Sequence, residues 1–161
     1  MVRMGELAAS AVADEVLVSL GLGSCIGLAL LDKRVGVAGL AHVVLPASGG
    51  NGVADSWKFA DVAVPELIRR VVELGGRRQM LEAVLVGGAS MFAVSTASLE
   101  VGHRNEAAVR EQLEHARIKV IAAETGGAKG RTIRVHVGPQ RVTVREAGGT
   151  QNDLVPAGVA A

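Results

Sequence analysis

The sequence predicts an α+β or layered α/β domain, and three observations carry that expectation. Candidate strands come in groups, with two or three helical segments inserted between the groups rather than alternating with single strands. Two neighbouring runs, "SCIGLALLD" (24–32) and "VGVAGLAHVVLP" (35–46), are apolar on both faces, which is the mark of a sheet covered on both sides. The chain of 161 residues suits one domain with room for a real core.

In chain order, "VRMGELAAS" (2–10) and "EVLVSLGLG" (15–23) are apolar and too short for buried helices, so both read as strands. The two apolar runs that follow flank the polar break "DKRV" and read as a β-hairpin. "PASGGNGVADS" (46–56) is a loop rich in Gly, Ser and Asn. A helix is expected from about Ser56, capped by Asp55 or Ser56, with Phe59, Val62, Leu67, Val71 and Leu74 on its apolar stripe. Pro65 should kink that helix or open a second segment. "LEAVLVGG" (81–88) is a buried strand ending in glycines, and "VGGASMF" (86–92) packs Met91 and Phe92. "HRNEAAVREQLEHARI" (103–118) is an amphipathic helix with Val109, Leu113 and Ala116 on one face. "KVIAAETGG", "RTIRVHVG" and "RVTVRE" are three strands, the last two joined by the short turn "GPQ". The domain is expected over residues 1–147, followed by a flexible tail over 148–161.

Composition excludes several functions. The 17 basic and 16 acidic residues nearly cancel, so no long-range field favours nucleic acid or an anionic membrane. Aromatics make up 2% of the chain, too few to stack bases. No apolar run reaches the roughly 18 residues of a membrane helix, and the N-terminal stretch carries Glu6 and Asp14 where a signal peptide needs apolar residues. A cytoplasmic protein is expected, with no membrane insertion. One cysteine forms no disulfide within the chain, and four scattered histidines lack metal-ligand spacing, so neither a metal nor a cofactor is expected.

The stretch "VSLGLGSCIGLALLD" (18–32) admits three readings. As a dinucleotide cradle it fails, because no helix with a polar face follows the glycines and no acidic residue stands about 20 positions on. As a buried hydrophobe, a lone cysteine is unremarkable. As a nucleophile, Cys25 gains support from the hairpin. With the turn centred between Lys33 and Arg34, Cys25 faces His42 directly, which brings their Cβ atoms to about 4.5–5.5 Å. A thiol beside an imidazole is the pair that cysteine hydrolases use, and a neighbouring imidazolium should hold the Cys25 pKa below the free value. Ser19, on the strand leading into Cys25, offers a hydroxyl to orient the imidazole. Gly23 and Ser24 let backbone approach a substrate and present amides to an oxyanion. Ser90 is a candidate for the substrate wall, and "TGGAKGR" (125–131) is a Gly-rich connection.

These same residues carry a resemblance. "GLGSC" followed by "GLAHVVLP", then "KFADVAVPELI", "VGGASMF", "GHRNEAAVREQL" and "ETGGAKGRTI" in order resembles the chemoreceptor glutamine deamidase (CheD) family, over roughly residues 2–146. The resemblance implies a single-domain α/β/β sandwich of mostly antiparallel strands, similar to bacterial toxin deamidases. It implies a catalytic cysteine at Cys25 and a histidine at His42. It places Ser19 where the family commonly has threonine, so the hydroxyl is kept and the rotamer-stiffening β-branch is lost. It implies hydrolysis of glutamine side chains on the cytoplasmic helices of chemoreceptors, and binding of the chemotaxis phosphatase CheC. Two rival readings stay beside it: a regulatory binding module for that phosphatase with secondary or no catalysis, and a thiol hydrolase of esters or other amides.

Overall fold

Every residue of strands β3 (Ile26–Asp32) and β4 (Val37–Val43) is buried, as two wholly apolar faces require. They form the centre of a five-stranded sheet in the order β1-β4-β3-β5-β6, with β1 at Leu7–Ser10, β5 at Glu82–Gly87 and β6 at Lys119–Thr125. Only the β5–β6 pair is parallel; helix α2 (Thr96–His115) lies between its strands in the chain. A second, antiparallel sheet runs β2-β7-β8-β9, with β2 at Val16–Leu22, β7 at Arg131–His136, β8 at Arg141–Glu146 and β9 at Gln151–Val155. These elements come from a computed structural model that describes residues 1–49, 56–90 and 96–158.

Two cores separate three layers. Alternate residues Ile26, Leu28 and Leu30 of β3 pack with Leu67 and Val71 of helix α1 (Ala60–Glu73) and Val109 and Leu113 of α2. The opposite face, with Cys25, Ala29 and Leu31, packs with Leu22, Ile133, Val135 and Val144 of the second sheet. The α/β/β sandwich is therefore the observed architecture. No helix among the described residues is long and apolar enough to cross a membrane.

Several elements differ from expectation, each for a local reason. The first strand is confined to Leu7–Ser10, because the chain turns at Gly5 (φ 75°) and the Val2 amide donates to Val18 on β2 (2.7 Å). Helix α1 starts at Ala60 rather than near Ser56, and its Phe59 N-cap makes no side-chain hydrogen bond. Asp61 in its first turn accepts from the amide (3.1 Å) and hydroxyl (2.9 Å) of Ser48. Pro65 neither breaks the helix nor opens a second one: it lies on the exposed side and forfeits one backbone bond. The buried face is Ala60, Ala63, Val64, Leu67, Ile68 and Val71, which leaves Leu74 outside it. Residues 151–155, expected within a flexible tail, form β9 along the free edge of β8, with Val155 buried. Asp55, Met91 and Phe92 lie outside the described residues.

The hairpin register is also corrected. The turn spans Lys33–Gly36, one position later than the sequence suggested. The Asp32 carboxylate accepts from the Arg34 amide (3.1 Å), the Asp32 carbonyl accepts from the Gly36 amide (3.0 Å), and Gly36 takes the positive φ (70°) that closes the turn. His42 consequently opposes Gly27, not Cys25.

Asp32 also anchors Arg77, accepting from its amide (3.0 Å), Nε (3.1 Å) and guanidinium (2.9 Å). Burial pushes this carboxyl up, but the bonds and charge of Arg77, with the Arg34 amide, outweigh burial and hold it below its ordinary value. A group with a folded pKa below its unfolded value of about 3.9 stabilises the fold above that pH and ceases to do so as pH falls through the folded value. Asp32→Asn is therefore expected to be less stable than wild type in urea at pH 7, with the gap shrinking below about pH 4. An equal gap at pH 7 and pH 3 would contradict this.

Candidate active site

The approach to Cys25 is shaped by a bulge. Ser19 pairs with Ile133 and Leu22 with Arg131, so β2 carries one extra residue at Leu20–Gly21. Gly21 adopts φ 64° there. Ser19 and Leu22 thereby both point inward and are fully buried, while Leu20 is exposed.

Beyond the bulge, residues 23–25 have each carbonyl taken. The Ala89 amide donates to Gly23 (2.7 Å), the Gly88 amide to Cys25 (2.9 Å), and Asn105 Nδ2 on α2 to Ser24 (3.0 Å). The backbone groups that this stretch can offer a developing oxyanion are its amides, beside the Ser24 hydroxyl. Ser90 is half-buried, and its amide donates to the Gly127 carbonyl (2.9 Å).

Cys25 lies just before β3, on the face that looks toward the second sheet, and is 8% exposed. His42, opposite Gly27, is on the same face and 2% exposed. The pair is thus diagonal rather than directly opposed. Diagonal neighbours across paired strands stand about 7–8 Å apart, a gap that an aromatic ring such as the imidazole can span. Gly27 puts no side chain between them: a Cβ there would meet Leu22 Cδ1 at 2.8 Å.

The Ser19 hydroxyl does not bond the imidazole. It donates to the Val2 carbonyl (2.7 Å). Neither ring nitrogen of His42 has a hydrogen-bond partner of good geometry, although the Val2 carbonyl and the Glu6 charge both favour the protonated ring. The link from Ser19 to His42 therefore runs through Val2. Met1, Val2, Arg3, Met4 and Leu20 also bound an open cleft of about 360 Å³ that reaches His42. A larger cleft of about 440 Å³, between β1 and α1 at Leu7, Arg69 and Leu74, touches neither Cys25 nor His42.

Burial sets the resting protonation. It pushes the Cys25 thiol up, against a smaller lowering by its own amide. It also pushes the His42 imidazole down, against Val2 and Glu6. A neutral thiol beside a neutral imidazole results, which overturns the expectation of a depressed Cys25 pKa. Burial is the largest influence on each group, and the imidazole carries no charge that would draw the thiol down. Iodoacetamide alkylation of Cys25 against pH should show a midpoint above that of a free thiol. His42→Ala should leave that midpoint in place, whereas a midpoint near neutrality that rises in His42→Ala would establish a resting ion pair.

Sequence reasoning missed Asn105 and Val2. Asn105 is fully buried at a helix position in line with Val109, and that polar residue on an otherwise apolar stripe was its signal. Among the described residues, no group of three or more His, Cys, Asp and Glu side chains is placed to hold a metal ion.

The fold and site define an α/β/β sandwich with one buried cysteine and a histidine on the same face of its central sheet. The chain belongs to the CheD family of chemotactic sensory transduction, whose model matches residues 44–146. It is 37% identical over 151 residues to the probable chemoreceptor glutamine deamidase CheD of Methanococcus vannielii, covering 94% of this chain and 97% of that one. Proteins of the same description from Clostridium kluyveri (42% identity; 82% and 83% covered) and Geobacillus kaustophilus (42%; 84% and 86%) are similar. The family model begins just past His42, while the Methanococcus alignment is long enough to take in Cys25 and His42.

Proposed function

We propose that this protein hydrolyses glutamine side chains on the cytoplasmic helices of chemoreceptors to glutamate and ammonia, with Cys25 as nucleophile. The observation that carries the reading is the placement of Cys25 and His42 on one face, at the open ends of β3 and β4. The names of the relatives agree with it.

Since both groups rest neutral, His42 takes the thiol proton as sulfur attacks the carboxamide carbon. The C–N bond breaks, the proton passes from His42 to the departing nitrogen, and ammonia leaves a thioester on Cys25. Water then attacks the thioester with His42 as base, releasing the carboxylic acid and restoring the thiol. The amides of Gly23 and Ser24, next to Cys25 in the chain, hold the oxyanion in both steps. Ser19 acts on His42 at one remove, by fixing the Val2 carbonyl, and Ser90 lines the substrate side. No cofactor enters this chemistry.

Receptor fragments incubated with the protein should gain about one dalton at defined glutamines, read by mass spectrometry. Unchanged mass at every glutamine would overturn the reading. The commitment of the Ser19 hydroxyl to Val2 favours one rival, a regulatory partner of the phosphatase CheC with secondary or no catalysis. That rival predicts phosphatase binding with little or no mass change.

A further inference from the structure

Helix α2 meets the loop of the nucleophile at two residues three positions apart, hence on one face. At Gly102 the helix approaches Gly88 so closely that a Cβ would lie 2.5 Å from the Gly88 carbonyl oxygen and 3.3 Å from that of Ala89. Gly88 and Ala89 are the residues whose amides hold Cys25 and Gly23. One turn later, Asn105 is fully buried, and its Nδ2 donates to both Ser24 (3.0 Å) and Val44 (2.9 Å). Both partners are carbonyls, so the amide nitrogen must face them.

The place of these bonds gives them their meaning. The β3–β4 ladder ends at Ile26 opposite Val43. Beyond it the chains diverge: Val44 turns to donate to Lys58 (2.8 Å), and residues 23–25 run toward β5. The two N–H groups of Asn105 supply the next rung, joining the residue before Cys25 to the strand that carries His42.

We propose that Gly102 and Asn105 are positioning residues that fix Cys25 relative to His42: Gly102 admits α2 to backbone contact with Gly88, and Asn105 staples the two strand ends. The importance of that geometry rests on the Cys25–His42 reading above. Neither residue touches substrate. Their loss should lower kcat and leave KM nearly unchanged.

The test uses the full chain with Asn105→Ala, Asn105→Asp and Gly102→Ala, each checked for folding by circular dichroism. Asn105→Ala is expected to lower kcat for deamidation of a receptor fragment by roughly 10- to 100-fold, the scale of a misplaced reacting group, with KM within about twofold. Asn105→Asp keeps the shape but sets a carboxyl against two carbonyls, and should lose at least as much, whereas a residue that merely fills space would tolerate it. Gly102→Ala should reproduce the loss, and the double variant should be no more than about twofold below Asn105→Ala, because pushing α2 away from Gly88 also draws Asn105 off its two carbonyls.

A second readout needs no deamidation. Freed from its staple, Cys25 should react with iodoacetamide at least about threefold faster at fixed pH, with its midpoint moved down as burial is relieved. A folded Asn105→Ala protein with kcat and alkylation rate within about twofold of wild type would overturn the proposal, as would losses that multiply in the double variant. If Asn105→Ala fails to fold, Gly102→Ala decides by the same two measurements. If wild type modifies no receptor glutamine, the deamidase reading falls and alkylation alone judges the staple.

Discussion

Replacing Cys25 by alanine is expected to abolish ammonia release from receptor fragments while the fold survives. Removing the nucleophile of a concerted catalytic pair costs on the order of 10⁴-fold or more in rate, because the remaining groups have no covalent intermediate to work through. The structural cost is small. Cys25 packs at the edge of the inter-sheet core, 8% exposed, and loses a single buried sulfur, worth about 1 kcal/mol. Its carbonyl bond from Gly88 is backbone and persists. Thermal melting and receptor binding should therefore stay close to wild type. Ammonia released at the wild-type rate by a folded Cys25→Ala protein would assign the chemistry elsewhere, and this is the chain's only cysteine.

The relation between Cys25 and His42 was legible in the sequence for a reason that also limited it. The hairpin register is displaced from expectation by a shift that keeps each residue's face, since side chains alternate with a period of two. Same-face placement survived; direct opposition did not. What hid the true register was Asp32, whose carboxylate organises the turn and so moves its centre toward Gly36. The bulge at Leu20–Gly21 was hidden similarly, because "SLGL" reads as ordinary alternation until its partner strand is known. The doubly covered sheet was legible, as two seven-residue strands without an exposed position leave no other solution. β9 was not, because "QNDLV" has strand character only when the free edge of β8 is available. The role of Asn105 lies furthest from sequence reasoning. Its partners are 81 and 61 residues away, and only packing α2 against the strand ends brings them together.

Gly87→Ala is expected to damage fold and site together. Gly87 is the last residue of β5, adopts φ 115°, and a Cβ there would lie 2.2 Å from the Cys25 carbonyl oxygen. Two costs combine. The backbone strain alone is about 1–3 kcal/mol. The contact is with backbone that is itself held by the Gly88 amide (2.9 Å), so it cannot be relieved by rotating a side chain. Either β5 withdraws from β3 at the Ile26–Gly87 pair or the Cys25 peptide is displaced. A total near 2–4 kcal/mol corresponds to a melting temperature lower by about 5–15 °C for a domain of this size. Gly75→Ala separates the two costs. Gly75, just past α1, adopts φ 104° with nothing within 4 Å of its Cβ position, so that variant carries the strain without the contact. It should melt only a few degrees below wild type and keep full deamidation. Gly87→Ala should lose deamidation even well below its own melting temperature, since displacement of the Cys25 peptide misdirects the thiol proposed as the nucleophile. Equal melting temperatures for the two variants would mean that the approach of Gly87 to Cys25 is relaxed without cost. Activity retained in a folded Gly87→Ala protein would mean that the thiol tolerates movement of its own backbone.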